Sequence, residues 1–304
     1  MKLTADIGGS KTRINAYHRD GNVEKFCLFG EYGRAEDSEN PLEELVERLK
    51  KLPLFSERVT YIVVNLGGKN KTQIIHSFAR VFPGSSIKVY RESEGTVAFK
   101  MAELYDCNVV IMAGTGCIAF ARCGRKECVV GGWGKNIGDQ GSGYAIGLKA
   151  ISEALCELDG NGVSYSLMTR EITGRENTLS GESAAEYSRL RDEIRSRLPK
   201  GRNEIAKLSK TVVKCAEKGC LSARKILSEA GADIARLAVC ATKKIGIDFS
   251  GVGILINGGL TEFRQWWEKD FFSALNEIIS TPRTIFLNDG IDKALKTFID
   301  ENNE

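Results

Sequence analysis

A glycine-rich stretch at residues 111–147 constrains the fold of this chain more than any other segment. It opens with an apolar run that stops at Gly114-Thr115-Gly116, and further apolar runs follow at residues 117–121 and 128–130. Short apolar runs bounded by glycine turns predict the strands of hairpins. Seven glycines then fall within residues 131–147, which predicts a backbone that bends sharply or approaches a ligand closely. The alternative is a glycine-rich loop that binds no ligand.

The start of the chain has the same order of elements. An apolar run at residues 3–7 ends in a glycine turn at residues 8–12, a second run covers 13–19, an Asp20-Gly21 turn follows, and a third run covers 23–29. Asp-Gly between two such runs is a strong hairpin signal. The repeated order of strand, glycine turn, strand, turn and strand predicts two halves of related architecture that share little sequence.

Apolar spacing and turn signals define the remaining elements. Helices are predicted at residues 42–49, 72–81, 94–104, 144–155, 184–198, 204–217, 221–245, 262–278 and 292–299, and further strands at 61–66, 86–90, 252–256 and 284–287. The polar segment 159–182 is predicted to be a loop. Helices that follow a strand meander predict an α/β fold in which mixed sheets are covered by helices.

The length of the chain predicts two domains. At 304 residues it exceeds the usual size of a single hydrophobic core. We predict an N-terminal domain at residues 1–107 and a C-terminal domain with a helical insertion at residues 108–289. The last helix, at residues 290–304, is expected to pack back on the first domain.

Charge and composition argue against several functional classes. The net charge is +3 and the basic residues are scattered, so we expect no binding to nucleic acid. No apolar run approaches the roughly 20 residues of a membrane helix, and the N-terminus lacks a signal-peptide pattern, so no membrane association is expected. Nine cysteines without a CxxC pair predict reduced thiols and a cytoplasmic protein. An iron–sulfur cluster on Cys123, Cys215 and Cys220 is the alternative.

The predicted glycine turns can bind a nucleotide. Clustered backbone N–H groups form an anion-binding concavity, and Ser10, Thr12 and Thr115 add hydroxyl groups. Asp6 ends the first strand and is placed to hold Mg²⁺, directly or through water. A third turn, Asn257-Gly258-Gly259, can approach a flat ring and a phosphate. Because no Walker A sequence is present, three such turns predict an actin-like nucleotide cleft between the domains.

These motifs resemble those of a known family. DIGGSKTR at residues 6–13 resembles its first phosphate motif, AGTGC at 113–117 its second, and INGGL at 256–260 its adenosine motif. GGWGKNIGDQGSG at 131–143 resembles the sugar-kinase signature GGWG…GDEGS and is the most specific match. Over nearly its whole length the chain resembles the BadF/BadG/BcrA/BcrD-type ATPase family, particularly its N-acetylglucosamine kinases and archaeal hexokinases. The resemblance implies two actin-like (ribonuclease H-like) domains.

The resemblance also implies a role for each matching residue. The residues that would contact Mg-ATP phosphates are Asp6, Gly8, Gly9, Ser10, Lys11 and Thr12 in the first turn, and Gly114, Thr115 and Gly116 in the second. Those that would flank the adenosine are Gly258 and Gly259, and those at the sugar are Gly132, Trp133 and Asp139. Without the resemblance, the sequence leaves a second role open for two of these residues. Trp133 can be a buried aromatic of the core, and Asp139 can cap a turn.

The chain departs from the family pattern in three places. The family places its catalytic aspartate at the start of the helix before the GTG strand, where this chain has Arg91-Glu92-Ser93-Glu94-Gly95. Spacing to Gly114 favours Glu94 as the general base, with Glu92 as the second candidate. Gln140 replaces an acid of the signature, and the acidic loop at residues 31–39 lacks the family's Gly-Asn pattern.

The sequence therefore predicts a cytoplasmic, ATP-dependent and Mg²⁺-dependent kinase. Its substrate would be N-acetylglucosamine or a related amino sugar or hexose, and a homodimer is expected. The main alternative is an ATPase that activates a partner enzyme through a conformational change, as in the dehydratase-activator branch of the family. A nucleotide-binding regulator without catalysis is a third possibility. Fold alone does not distinguish these classes.

Overall fold

The structure, a computed structural model, forms two compact units. It describes residues 1–9, 11–30, 32, 40–53, 58–68, 70–134, 137–160, 165–179, 183–248, 251–279 and 282–302. The first unit comprises Met1–Val110 and Leu287–Glu304, and the second comprises Ile111–Phe286.

Each unit is built around a five-stranded sheet. The first contains β1 (Lys2–Ile7), β2 (Lys11–Tyr17), β3 (Val23–Phe29), β4 (Tyr61–Leu66) and β5 (Ser86–Arg91), in the order β3-β2-β1-β4-β5. The second contains β6 (Val109–Ala113), β7 (Cys117–Cys123), β8 (Lys126–Gly131), β9 (Gly253–Asn257) and β10 (Arg283–Leu287), in the order β10-β9-β6-β7-β8. In each sheet the strand that comes first in the chain, β1 or β6, lies at the centre, with the next two strands on one side and the last two on the other. This common order is the one expected of a duplicated architecture.

Helices accompany both sheets. They are α1 (Asn40–Lys50), α2 (Lys71–Val81), α3 (Thr96–Leu104), α4 (Gly143–Leu158), α5 (Leu167–Thr173), α6 (Ala184–Arg197), α7 (Arg202–Glu217), α8 (Leu221–Ile245), α9 (Glu268–Asn276) and α10 (Gly290–Glu301). In the first unit, α10 packs on β1, β4 and α3, with Leu295 and Phe298 buried. In the second, α4 packs on α7 and α8 packs on α9.

The register of the first sheet determines where its strands end. β1 pairs antiparallel with β2 and parallel with β4, which in turn pairs parallel with β5. Because Ile7 lies opposite Leu66, and Leu66 opposite Arg91, three parallel strands end at the same level. Ligands of α/β sheets bind outside the carboxyl ends of strands, so this edge is the place for a site.

The predicted α/β class with mixed sheets is confirmed, but three local predictions are wrong. The segment 159–182, predicted to be a loop, contains α5. The helix predicted from residue 94 begins at Thr96, after a one-turn 3-10 helix at Glu92–Glu94 that ends where Gly95 takes φ +73°. The helix predicted at residues 262–278 is divided into a 3-10 segment, Gly259–Trp266, and α9.

Within the described ranges, no helix is both long enough and apolar enough to cross a membrane. None of the nine cysteines, all of which lie within the described ranges, forms a disulfide. The same part of the chain contains no group of three or more His, Cys, Asp and Glu side chains that could hold a metal ion.

Candidate active site

The first glycine turn joins β1 to β2 at the carboxyl edge of the first sheet. The N–H of Gly8 donates to the carbonyl of Lys11 (3.0 Å), and the N–H of Gly67 donates to the carbonyl of Ile7 (2.9 Å). Ser10, one of the predicted phosphate contacts, lies outside the described residues. The side chain of Lys11 is exposed, whereas Thr12 is fully buried opposite Ile7.

Glu92 lies at this first turn. It follows β5 at the level where Gly8 follows β1 and Gly67 follows β4. The Oε2 atom of Glu92 is 3.3 Å from the position that a Cβ on Gly67 would occupy, and the Cα of Gly8 is 3.6 Å from that position. The register of three parallel strands thus brings a carboxylate next to the backbone of the first glycine turn.

Glu94 points elsewhere and caps the 3-10 turn. Its Oε1 accepts a hydrogen bond from Nε of Arg91 (2.8 Å), and its Oε2 accepts one from the Arg91 N–H (3.3 Å). The hydrogen bond from the Arg91 side chain holds the pKa of Glu94 below its ordinary value. Residues two apart in a 3-10 helix point in different directions, which agrees with Glu92 beside Gly67 and Glu94 on Arg91.

Asp6 is held by two neighbours in the sheet. Its Oδ1 accepts a hydrogen bond from Nδ2 of Asn65 (2.9 Å), and its Oδ2 accepts one from Nη2 of Arg13 (2.9 Å). Arg13 also donates to the carbonyl of Asn288 (2.7 Å) and approaches Oδ1 of Asp292 (3.6 Å). Burial raises the pKa of Asp292, although Arg13 acts in the opposite direction.

The surroundings of Asp6 suit Mg²⁺ held jointly with phosphates. Oδ1 of Asn65, which lies opposite Asp6 in the parallel register, is buried and has no hydrogen-bond partner among the residues that the structure describes. Mg²⁺ prefers hard oxygen ligands and is usually held by one or two carboxylates together with water and substrate phosphates. Asp6 supplies one carboxylate, so these residues fit a shared magnesium site rather than a cage made of protein alone.

The second glycine turn, Gly114-Thr115-Gly116, is held on the N-terminus of α4. The N–H of Gly114 donates to the carbonyl of Gly116 (2.9 Å). The N–H groups of Gly143 and Tyr144, which begin α4, donate to the carbonyls of Gly114 (2.8 Å) and Thr115 (3.2 Å). The turn itself remains partly exposed.

Asp139 lies beneath this second turn. It has φ +63° and is only 3% exposed. Its Oδ1 accepts a hydrogen bond from the N–H of Cys117 (3.4 Å), and its Oδ2 is ion-paired with Nη2 of Arg202. The structure places Asp139 at the second glycine turn. The role at the sugar that the resemblance implies for it stays a prediction. Sequence reasoning missed Arg202 because its partner lies 63 positions away, and helical spacing placed the start of α7 two residues late.

Gly132 and Trp133 follow β8. Gly132 has φ +69° and donates its N–H to the carbonyl of Cys117 (3.1 Å), while a Cβ there would be 2.6 Å from Cδ1 of Ile118. Trp133 is 75% exposed, so the alternative of a core aromatic is wrong. An exposed indole can stack on the apolar face of a ring.

The third glycine turn lies against the second. Gly258 follows the buried strand β9 with φ +133°, a conformation that favours glycine. A Cβ at Gly258 would collide with the carbonyl of Ala113, the residue before Gly114. Gly259 begins the 3-10 segment and has open space where its Cβ would be. The proposed adenosine and phosphate turns of the second unit are therefore neighbours.

Comparison with known proteins assigns the family. The model of the BadF/BadG/BcrA/BcrD ATPase family matches residues 5–280. An N-acetylmuramic acid/N-acetylglucosamine kinase from Clostridium acetobutylicum is 28% identical over 280 residues, which cover 89% of this chain and 89% of that protein. The glucosamine kinase GspK from Vibrio cholerae is 33% identical over 101 residues, 33% of this chain and 34% of that protein.

A solved structure agrees in fold. A candidate N-acetylglucosamine kinase from Chromobacterium violaceum is similar with a TM-score of 0.65 and 20% identity, over 97% of this chain and 97% of that chain. The predicted actin-like α/β fold is thereby confirmed. Because the family model spans most of the sequence, the chain belongs to the BadF/BadG/BcrA/BcrD ATPase family.

Proposed function

We propose that this protein is an ATP-dependent kinase that phosphorylates a hydroxyl group of N-acetylglucosamine or a related amino sugar. Two curated relatives, from Clostridium acetobutylicum and Vibrio cholerae, carry the names of amino-sugar kinases. The geometric observation that carries the proposal is the carboxylate of Glu92 beside Gly67 and Gly8. A kinase needs a carboxylate next to its phosphate-binding turn, because the acceptor hydroxyl loses a proton there.

Glu92 is the general base in this proposal. Its carboxylate accepts the proton of the sugar hydroxyl while the hydroxyl oxygen bonds to the γ-phosphorus of ATP. The bond between that phosphorus and the bridging oxygen breaks, so that ADP leaves with the electron pair. Glu94 was the first choice from sequence spacing, but its carboxylate is engaged by Arg91. Glu92 lies beside Gly67 and near Gly8, so we assign the proton transfer to Glu92 and the capping role to Glu94.

The glycine turns are assigned to the nucleotide. We assign the phosphates to Gly8, Gly9, Lys11 and Thr12 in the first unit and to the Gly114-Thr115-Gly116 turn in the second. Gly258 and Gly259 are assigned to the adenosine, and their neighbour Ala113 links them to the second turn. Ser10 keeps its predicted role, and the nucleotide cleft between the domains stays a prediction.

Asp6 would hold Mg²⁺, directly or through water. The ion would neutralise phosphate charge as the phosphoryl group is transferred. Asn65 and Arg13 orient the Asp6 carboxylate, and the buried Oδ1 of Asn65 adds a hard acceptor beside it.

We assign sugar recognition to Gly132 and Trp133. The exposed indole of Trp133 offers an apolar surface to a sugar ring. Asp139 is the third residue that the resemblance places at the sugar. Because its carboxylate already accepts hydrogen bonds from Cys117 and Arg202, we assign to Asp139 the support of the second turn.

A phosphoryl-transfer panel tests this function. Purified protein with Mg-ATP is offered N-acetylglucosamine, N-acetylmuramic acid, glucosamine and glucose, while ADP and sugar phosphate are quantified separately. We expect ADP release to depend on an amino sugar and to equal sugar phosphate formed. ATP hydrolysis at the same rate with and without every sugar would reject the kinase and favour the partner-activating ATPase.

We place the reaction in the cytoplasm, where ATP is abundant and free thiols stay reduced. The nine cysteines, none of which forms a disulfide, agree with that assignment. The homodimer stays a prediction, and light scattering during gel filtration measures it directly.

A further inference from the structure

The second glycine turn carries an arginine that none of the motifs assigns. Arg202 begins α7, and its Nη2 atom is 2.5 Å from the position that a Cβ on Gly116 would occupy. Its guanidinium carbon is 5.9 Å from the ring centroid of Tyr144, whose N–H donates to the carbonyl of Thr115. The guanidinium therefore lies directly against the backbone of the turn.

Arg202 has more hydrogen-bond donors than its neighbours use. A guanidinium carries five N–H groups in a planar fork. Nη2 donates to Asp139, whereas Nε is buried and has no hydrogen-bond partner in the part of the chain that the structure describes. A buried donor without a partner is uncommon in native proteins and indicates a ligand, a water molecule or a functional role.

The surroundings of Arg202 favour an anion. α4 and α7 pack against each other so closely that a Cβ on Gly147 would collide with the carbonyl of Ile205. The N-terminus of α4 holds the glycine turn, and Arg202 is the first residue of α7. Helix N-termini carry partial positive charge, so the N-terminus of α4 adds to the guanidinium at this turn. Asp139 is the carboxylate that opposes them here.

We propose that Arg202 binds the phosphate chain of ATP at the Gly114-Thr115-Gly116 turn, and that Asp139 holds its guanidinium in position. The proposal deepens the proposed kinase function and rests on it. Nη2 stays on Asp139, while the remaining N–H groups donate to phosphate oxygens. A guanidinium can offer two parallel N–H donors to a phosphate and stabilise charge that develops during phosphoryl transfer. Arg202 forms no covalent bond, and Asp139 is a positioning residue.

The test compares Arg202→Gln with Arg236→Gln. Arg236 also pairs with a buried aspartate, Asp233, on α8. Arg236 is more exposed than Arg202, and Asp233 keeps Lys149, so this control removes an arginine–aspartate pair without touching the turn. Isothermal titration calorimetry measures the binding of Mg-AMPPNP and of adenosine to each variant. We expect Arg202→Gln to weaken Mg-AMPPNP by about 10- to 100-fold, which is what loss of charge-assisted hydrogen bonds implies. Adenosine affinity and both affinities of the control should stay as in the parent protein.

Two results would overturn the proposal. One is unchanged AMPPNP affinity in Arg202→Gln, which would leave Arg202 as a support of Asp139 only. The other is an equal loss of affinity for AMPPNP and for adenosine in Arg202→Gln. That result would mean that the substitution distorts the second unit and that Arg202 has no specific role at the phosphates. If Arg202→Gln does not fold, Arg202→Lys decides, because lysine keeps the charge but lacks the fork. We expect Arg202→Lys to lose affinity for Mg-AMPPNP but not for adenosine, and to lose less than Arg202→Gln would. If the ratio of the two affinities is the same as in the parent protein, the phosphate role of Arg202 is rejected.

The measurement is independent of the sugar. Calorimetry uses no acceptor sugar. A calorimetric result that rejects the role of Arg202 therefore leaves the outcome of the phosphoryl-transfer panel unaffected. Conversely, a negative panel with selective AMPPNP loss in Arg202→Gln would reject the sugar kinase and keep the phosphate role of Arg202.

Discussion

The two glycine turns follow the first strand of sheets with the same strand order, yet the charges around them differ. At the first turn, the cation Arg13 is shared among Asp6, the carbonyl of Asn288 and Asp292. At the second, Arg202 is ion-paired with Asp139. Nε of each arginine lacks a hydrogen-bond partner within the described ranges, but Nε of Arg13 is ion-paired with Asp292. Duplicated backbone therefore carries different chemistry. The first turn offers carboxylates for a metal and a proton, and the second offers donors for an anion.

The two turns are also held in place differently. The first depends on strand register, because the N–H of Gly67 at the end of β4 donates to the carbonyl of Ile7 at the end of β1. The second depends on a helix, because the N–H groups of Gly143 and Tyr144 donate to carbonyls of the turn. Changes in the sheet should affect the first turn, and changes along α4 should affect the second.

The largest expected effect is on catalysis at the first turn. Glu92→Gln removes the proposed base and should lower kcat by roughly 10²- to 10⁴-fold, the usual contribution of a positioned base. Binding of AMPPNP should persist, because the glycine turn is unchanged. Steady-state kinetics with the sugar identified by the panel measures kcat.

Glu94→Gln is the matched control for this change. It removes a carboxylate two residues away that is engaged by Arg91, so kcat should stay within about 3-fold of the parent value, since the glutamine is outside the proton path. The reverse result, with Glu94 essential and Glu92 dispensable, would restore the assignment made from sequence spacing. The first turn would then carry no base.

The second prediction contrasts the two arginines. Arg13→Gln leaves Asp6 and Asp292, both partly buried, without their shared cation. Loss of hydrogen bonds to partly buried charged groups should lower the free energy of unfolding by about 1–3 kcal/mol, measured by urea denaturation. AMPPNP affinity should fall much less than in Arg202→Gln. If both variants lose nucleotide affinity equally and keep their stability, the two turns are equivalent and the contrast between them fails.

Local patterns were enough to predict most of the fold. β4 and α8 have the boundaries that apolar spacing predicts, residues 61–66 and 221–245, because a buried strand and a long amphipathic helix are visible in the sequence itself. The helix α5 was missed because it has only seven residues and depends on Glu157, which accepts hydrogen bonds from Ser166 and Thr169. That contact is tertiary and has no local signature.

The sequence predicted the site residues whose position depends on backbone conformation. It did not predict those whose position depends on a side-chain partner elsewhere in the chain. Gly132 and Gly258, predicted from motifs, both have positive φ, and glycine is the residue that adopts such φ readily. The choice between Glu92 and Glu94 depends on a 3-10 turn that Gly95 ends, which spacing alone does not reveal. The pair of Asp139 and Arg202 joins residues 63 positions apart, so a motif search does not reveal it.

The smallest expected effect concerns acid and the helix that holds the second turn. Glu157, near the C-terminal end of α4, is 3% exposed. Burial alone would raise its pKa, but hydrogen bonds from Thr169, Ser166 and Ser222 hold the pKa below the ordinary value. A carboxyl with a lowered pKa in the folded state stabilises the protein above the unfolded pKa of about 4.3. That stabilisation is lost as the pH falls through the folded pKa.

Glu157→Gln should therefore flatten the acid side of the stability profile. The slope of unfolding free energy against pH should fall by at most about 1.4 kcal/mol per pH unit, the value for one proton. Urea denaturation between about pH 3 and pH 7 measures this slope, and an identical slope in both proteins would remove Glu157 as the anchor of α4.

Amide hydrogen exchange then tests the contrast: below the unfolded pKa, the Tyr144 N–H at the second turn should lose protection before the Gly67 N–H at the first. If both amides lose protection at the same pH, acid acts on both units alike. The sheet and the helix then hold the two turns equally well, and the contrast between them fails.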